Sequence, residues 1–205
     1  MESTTSKHEM SDAEMLKTLK TAVATSKRTL YDDWILLVLW GASFTIGFFL
    51  NYYKSTHIVV WWERNILHTL NILAAIGLIG FTLYYLYFRK SKYRTYTAIS
   101  TRLVWLGIII AHNLNIVIIK KLTHEVNFTL LHPLQMVLIG FALFVTGGIY
   151  RYYLLSASGL IMWAAAFMAS RQELSDQYLI RAIADFVCFV IPGILMYSKK
   201  MVKHV

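Results

Sequence analysis

Long apolar stretches alternate with short polar segments along most of this chain. A bilayer hydrocarbon core about 30 Å thick needs roughly 20 apolar residues in a helix that rises about 1.5 Å per residue. Six stretches meet this requirement, so the pattern predicts an all-α bundle of six transmembrane helices. The six spans are predicted at Asp33–Tyr53, Ile66–Phe88, Ile99–Ile119, Thr129–Tyr150, Tyr152–Ser170 and Tyr178–Ser198, and the second could begin earlier, near His57.

A short amphipathic helix is predicted before the first span. Ser11 followed by Glu14 is a capping-box pattern that begins a helix. Apolar residues then recur at helical spacing, with lysines on the other face, so we expect this helix to lie on the inner membrane surface. A soluble docking helix is the alternative. The predicted organisation is a tail with this helix at 1–32, a six-helix membrane domain at 33–198 and a basic tail at 199–205.

The composition excludes an ordinary soluble domain. Of the 205 residues, 57% are hydrophobic and 15% are charged, whereas soluble domains have about 45–50% apolar and about 25% charged residues. The expected surroundings are therefore a lipid bilayer. The single cysteine, Cys188, excludes an intramolecular disulfide and a cysteine-based zinc or iron–sulfur site.

The distribution of basic residues predicts the orientation. Most of the 20 lysines and arginines lie in 1–32, 89–102 and 199–205, and these segments are on one side of a six-span topology. Cytoplasmic loops carry this excess in membrane proteins, so both termini are expected in the cytoplasm. The net charge of +9 also favours contact with anionic headgroups. Nucleic-acid binding is disfavoured because the basic residues are divided among several cytoplasmic segments.

Glycines predict how some of the helices pack. Small residues allow membrane helices to approach closely, so Gly77 and Gly80 of the second span and Gly140 of the fourth are expected at helix contacts. The segment Gly147–Tyr152 predicts a tight turn that makes the fourth and fifth spans antiparallel neighbours.

Polar side chains at membrane depth are the candidate functional residues, because such groups are costly in lipid and usually face the protein interior. They gather in the outer halves of four predicted spans, which indicates an outward-facing polar pocket. The predicted ligand-binding residues are His68, Asn71, His112, Asn115, His132, Gln135, Arg181 and Asp185.

Three of the spans share a histidine followed three residues later by an amide side chain. These pairs are His68 with Asn71, His112 with Asn115 and His132 with Gln135. Residues at this spacing lie on one helix face, so the amide can orient the imidazole.

Such histidines suit three roles. A transition metal or haem iron could be held by His68, His112 and His132, with Asp185 as a carboxylate ligand. A proton or ion pathway would use the same groups. Hydrogen bonding between helices, with no ligand, is the third reading. Arg181 and Asp185, four residues apart, predict an ion pair, and substrate anchoring by Arg181 is the alternative.

Several apolar motifs resemble a known family. Trp40-Gly41, the run from Gly140 to Gly147, Trp163 and Ile191-Pro192-Gly193 resemble small six-span membrane proteins of Bacteroidota-type bacteria. The resemblance implies six helices in a bacterial cytoplasmic membrane. It carries no assigned activity, and the histidines are not part of the shared motifs.

Three functions follow as hypotheses. The first is a protein that binds or transports an ion, metal or small solute in the outward-facing pocket. The second is a sensor or scaffold that acts through its basic cytoplasmic face. The third is an intramembrane metal- or haem-dependent enzyme, which is disfavoured because no catalytic residue pair or motif stands out. Self-association is also expected, because six short helices enclose little interior volume.

Overall fold

The computed structural model describes residues 14–18, 20–21, 33–58, 60–88 and 96–202. Within these ranges 91% of the residues are helical and none lies in a strand, which confirms the predicted all-α class. A π-helical turn, Phe186–Val190, joins the last two helices. The helices are α1 (Trp34–Thr56), α2 (Trp61–Phe88), α3 (Tyr96–Thr123), α4 (Phe128–Ile149), α5 (Tyr153–Ala169), α6 (Leu174–Asp185) and α7 (Ile191–Val202).

Five stretches of the described residues are long and apolar enough to cross a membrane, so this is a multi-pass membrane protein. They match the first four predicted spans and the sixth, and the second begins at Trp61 instead of Ile66. The fifth predicted span corresponds to α5, which has only 17 residues. The five stretches are Trp34–Thr56, Trp61–Tyr85, Tyr96–Thr123, Phe128–Ile149 and Leu174–Lys199.

The predicted amphipathic helix lies only partly within the described residues. Residues 14–18 and 20–21 are helical and exposed, and Met15 and Leu16 are among the exposed apolar side chains. The remainder of the predicted segment 1–32 is outside the described ranges, as are residues 203–205 of the predicted basic tail.

The helices form a packed centre with two peripheral members. Helices α4 and α5 pack along each other, and α1 lies against α6, the π-turn and α7. The centre is filled by apolar side chains that are fully buried, among them Met136, Leu143 and Met162. Among the described helices, α2 packs against α1 alone, and α3 packs chiefly against α4. Both peripheral helices therefore present most of their apolar surface to lipid.

Glycines bring α4 and α5 into close contact. A Cβ atom on Gly159 would lie 2.6 Å from the carbonyl oxygen of Gly140 and 2.7 Å from the nitrogen of Phe144, so no larger residue fits there. This confirms the contact predicted at Gly140. The prediction for Gly77 and Gly80 was wrong: a Cβ on either would meet nothing within 4 Å, because both glycines are on the lipid-facing side of α2.

The π-turn follows from the position of Pro192. Proline has no N–H and its ring collides with the carbonyl four residues earlier, so an α-helix cannot continue unchanged through it. Here the N–H of Ile191 bonds to the carbonyl of Phe186, five residues back. The backbone hydrogen bonds therefore span five residues instead of four just before the proline. The turn begins directly after Asp185. Single π-turns of this kind occur frequently at functional sites.

The two ends of the bundle differ in what they carry. The connections 57–60, 124–127 and 170–173 lie at one end, called here the loop end. The opposite end, the terminal end, carries Asp33, the turn 150–152 and Val202. That turn is tight, as predicted, with the N–H of Tyr152 bonded to the carbonyl of Gly147 at 2.8 Å.

Candidate functional site

Helices α4 and α6 bring four of the predicted polar residues together inside the bundle. His132 and Gln135 are one turn apart on α4, and Arg181 and Asp185 are one turn apart on α6. All four side chains are buried, and Asp185 has no exposed surface. We call this group the polar cluster. Counting residues from the start of α6 places Asp185 about 16 Å from the loop end, near the middle of a bilayer core.

Arg181 is at the centre of the polar cluster. Its Nη1 donates a hydrogen bond of 2.6 Å to Oε1 of Gln135 and lies 3.4 Å from Nδ1 of His132. Its Nε lies 3.7 Å from Oδ2 of Asp185. The predicted ion pair is therefore present, although its atoms are too far apart for a hydrogen bond.

Arg181 also determines the tautomer of His132. A guanidinium can only donate, so Nδ1 must be the acceptor and a neutral imidazole carries its proton on Nε2. Nε2 is buried and has no hydrogen-bond partner among the described residues. His132 thus presents an unpaired N–H donor inside the bundle.

Further buried polar atoms of the cluster lack hydrogen bonds in the described part of the chain. They are Nε of Arg181 and both carboxylate oxygens of Asp185. Buried polar groups are almost always hydrogen-bonded, and leaving one unpaired costs free energy. The cluster therefore contains two donors and a carboxylate whose hydrogen-bonding capacity is not met by the described residues.

Aromatic rings enclose the cluster. The Cζ atom of Arg181 lies 4.2 Å from the centroid of the Phe48 ring on α1, a cation–π contact. The His132 ring lies edge-on to Phe48 and Tyr178, at 5.6 Å and 5.0 Å between centroids, and is stacked on Phe128 at 6.0 Å. These rings surround the charges with apolar surface, which strengthens electrostatic interactions there.

The remaining predicted residues lie outside the polar cluster, on α2 and α3. His112 of α3 is half-buried and lies within electrostatic range of Arg181 and His132. Asn115 is half-buried on the same helix. His68 is exposed on α2, and Asn71 lines a separate cavity between α1 and α2. The single pocket predicted from three equivalent histidine–amide pairs was therefore wrong for the pair on α2.

The hypothesis of a metal site at His68, His112, His132 and Asp185 is also corrected. Among the described residues, no three His, Cys, Asp or Glu side chains come close enough to hold a metal ion. His68 is on a helix that packs only against α1, and Arg181 lies between His132 and Asp185. A guanidinium in that position repels a metal cation, so these four side chains do not form one metal site.

Some residues that build the site were not predicted from the sequence. Gln177 is fully buried and its Nε2 donates to the carbonyls of Thr129 and Gln172, while its Oε1 has no partner in the described residues. It precedes Arg181 by four residues, so the spacing Gln177, Arg181, Asp185 on one helix face was available in the sequence. Phe48 carried no such signal, because one phenylalanine among many apolar residues of a span is not distinctive.

A second polar network, which was not predicted from the sequence, lies at the terminal end. The Tyr85 hydroxyl donates to Oδ1 of Asp33 at 3.5 Å, and Tyr150 is buried near Thr101 and Arg102. Burial raises the pKa of the Tyr150 hydroxyl, as does the Asp33 carboxylate, whereas the nearby Thr101 hydroxyl and Arg102 oppose this. The network joins the ends of α1, α2, α3 and α4 on the side opposite the loop end.

Comparison with known proteins gives no relative: no family model, curated protein or solved structure matches this chain.

Proposed function

We propose that this chain binds a small anion together with a proton in the polar cluster and carries them across the membrane. The observation that supports this most strongly is Asp185, a fully buried carboxylate with no hydrogen-bond donor on either oxygen in the described part of the chain. Its nearest charge is Arg181, whose Nε also lacks a hydrogen bond. Only electrostatic attraction therefore holds Arg181 and Asp185 together, so an external ion or a proton can compete for either side chain.

Charge balance explains why a proton accompanies the anion. A net charge at membrane depth is costly, so the cluster favours states in which Arg181 is balanced. One balanced state is the Arg181–Asp185 ion pair seen here. The other has a protonated Asp185 and an external anion paired with Arg181. Exchange between the two states takes up one anion and one proton together and leaves the net charge of the site unchanged.

Hydrogen-bond donors support an anion as the ligand. Nε2–H of His132 and Nε–H of Arg181 are both unpaired among the described residues. Charge-assisted bonds from arginine to carboxylates are among the strongest hydrogen bonds in proteins. The expected ligand class is therefore a small carboxylate, or an inorganic anion of similar size.

The depth of the cluster and its helix irregularities support transport beyond binding. Transporter sites lie near the bilayer midplane, where helices are interrupted. Asp185 directly precedes the π-turn, and His132 directly precedes Pro133 inside α4.

The proposed topology has six spans, with α5 as the additional one. Helix α5 runs antiparallel to α4, from the contact of Ser156 with Phe144 to that of Trp163 with Val137. Its 17 residues are at the lower limit for a span. The positive-inside rule then supports cytoplasmic termini and an outward-facing loop end, and the family resemblance supports a bacterial cytoplasmic membrane.

Anion binding by the full-length protein in lipid nanodiscs tests the proposal. Calorimetric titration with lactate, acetate and chloride at acidic pH should give binding of at least one of them. Arg181→Gln should weaken that binding about 100-fold, because the charge-assisted hydrogen bonds are lost. Arg171→Gln is the matched control: Arg171 is an exposed arginine at the same end, packed over the Phe167 ring.

The outcomes are distinct. Binding that is lost in Arg181→Gln and retained in Arg171→Gln supports the proposal. The proposal is overturned if none of the three anions binds, or if Arg181→Gln binds them as tightly as the unmodified protein does.

A further inference from the structure

A cleft between α1 and α2 is separate from the polar cluster. Its volume is about 200 Å³, and all of its lining residues belong to these two helices. An apolar cavity of about 150 Å³ in a protein interior is large enough to hold benzene. The cleft is open because small residues face it, namely Ser43 and Gly47 on α1 and Ala74 and Ala75 on α2.

Aromatic and aliphatic side chains form most of the cleft wall. Trp40, Phe44 and Phe48 line it from α1, and Leu78 and Ile79 from α2. The indole N–H of Trp40 already donates to Oγ1 of Thr82 at 3.0 Å, so the tryptophan offers the cleft its apolar ring. From Trp40 to Asn51 the cleft follows α1 for about 16 Å. Such an elongated apolar space suits one hydrocarbon chain.

Two amides make the loop-end part of the cleft polar. Asn51 and Asn71 both line it, and both are half-buried. Within the described part of the chain, no hydrogen bond joins either side chain to another group. Each amide offers donors and an acceptor, and no charged residue lines the cleft. This chemistry recognises an uncharged hydroxyl or carbonyl group.

Access to the cleft is sideways from the bilayer. Helix α2 packs only against α1 among the described helices, so no other described helix borders the cleft. From these observations we infer that the cleft binds an uncharged, single-chain amphiphile of the lipid class, with its hydrocarbon along Trp40 and Phe44 and its oxygen-bearing end at Asn51 and Asn71. Phe48 contacts both this cleft and Arg181, so the occupant lies beside the polar cluster.

Photo-crosslinking of the full-length protein in nanodiscs tests this inference. The probe is a monoacylglycerol with a diazirine in its acyl chain, and the comparison probe is a lysophosphatidylglycerol with the same chain and a charged headgroup. Labelling by the monoacylglycerol should concentrate on peptides of α1 and α2 and should be competed by unlabelled monoacylglycerol. Lysophosphatidylglycerol should label these peptides less.

Two variants and a matched control make the test specific. Gly47→Leu should abolish the labelling because the new side chain fills the cleft, and its Cβ makes only an ordinary contact, 3.5 Å from Oδ1 of Asn71. Asn71→Leu should reduce it about fivefold through the loss of one hydrogen bond. Gly107→Leu is the control, because a Cβ on this exposed α3 glycine meets nothing within 4 Å.

The inference is overturned if Gly47→Leu is labelled like the unmodified protein, or if both probes label α1, α2 and α3 equally, as bulk lipid would. Arg181→Gln, which tests the anion site, should leave the labelling unchanged. Failure of one proposal can therefore be distinguished from failure of the other.

Discussion

Arg181 holds the polar cluster together because it contacts every other member. It donates to Gln135, approaches Nδ1 of His132 and balances the charge of Asp185, while the Phe48 ring covers it. Breaking a buried ion pair by removing one partner costs about 3–5 kcal/mol, whereas replacing both partners with apolar residues is often neutral or stabilising. The energetic role of the pair can therefore be separated from its role in binding.

We predict that Arg181→Leu lowers the stability by about 3–5 kcal/mol, because it leaves the Asp185 carboxylate buried without a counter-charge. The double variant Arg181→Leu/Asp185→Leu should regain most of this loss and still bind no anion. Denaturation midpoints in detergent measure the change, with the exposed Arg171→Leu as the control. A double variant no more stable than the single one contradicts this description of the pair.

At the scale of elements, glycine positions distinguish packed helix surfaces from lipid-facing ones. Gly159 faces the backbone of α4 at distances that exclude a Cβ, whereas Gly77 has open space around it. Both glycines are in apolar helices with similar neighbours in sequence. The hydropathy pattern therefore identifies the helices but cannot show which face of each is packed.

The same substitution at these two glycines should have opposite effects. Gly159→Ala should destabilise the protein by about 1–3 kcal/mol, because the α4 backbone must move away. Gly77→Ala should leave stability unchanged or raise it by up to about 1 kcal/mol, since alanine favours a helix more than glycine does. Thermal unfolding in nanodiscs measures both variants. Equal effects would show that the α4–α5 contact is looser than described.

The polar cluster was predictable only in part from the sequence. His132, Gln135, Arg181 and Asp185 were identified because ionisable and amide groups at membrane depth are rare. His68 was grouped with them wrongly, because its local pattern matches that of His132 although His68 is exposed on α2, which packs only against α1 among the described helices. Sequence spacing fixes neighbours within one helix, whereas neighbours between helices depend on which helices touch.

At the scale of the whole molecule, one group of packed helices carries both the polar cluster and the polar network at the terminal end. The polar cluster lies about 16 Å from the loop end, and the contact between Asp33 and Tyr85 joins α1 and α2 at the terminal end. Transport between the two sides requires that these ends face opposite compartments. The course of α5 decides this, because it determines on which side α6 begins.

Side-specific labelling of introduced cysteines should show that α5 crosses the membrane. In a Cys188→Ala background, Arg171→Cys at the loop end should react with a membrane-impermeant maleimide in intact cells. Tyr153→Cys at the terminal end should react only after permeabilisation. Both positions are exposed, so accessibility within the protein does not limit the reaction. Labelling of both from the same side would rule out a spanning α5 and the six-span topology.

Proton uptake on anion binding tests the central claim most directly. Titration calorimetry in buffers with different ionisation enthalpies gives the number of protons taken up when the anion binds at near-neutral pH. We predict about one proton per anion for the unmodified protein, because Asp185 must become neutral when the anion pairs with Arg181. Asp185→Asn should bind the anion with no proton uptake. Anion binding without proton uptake by the unmodified protein, or the same uptake by Asp185→Asn, would contradict the exchange at Arg181 and Asp185.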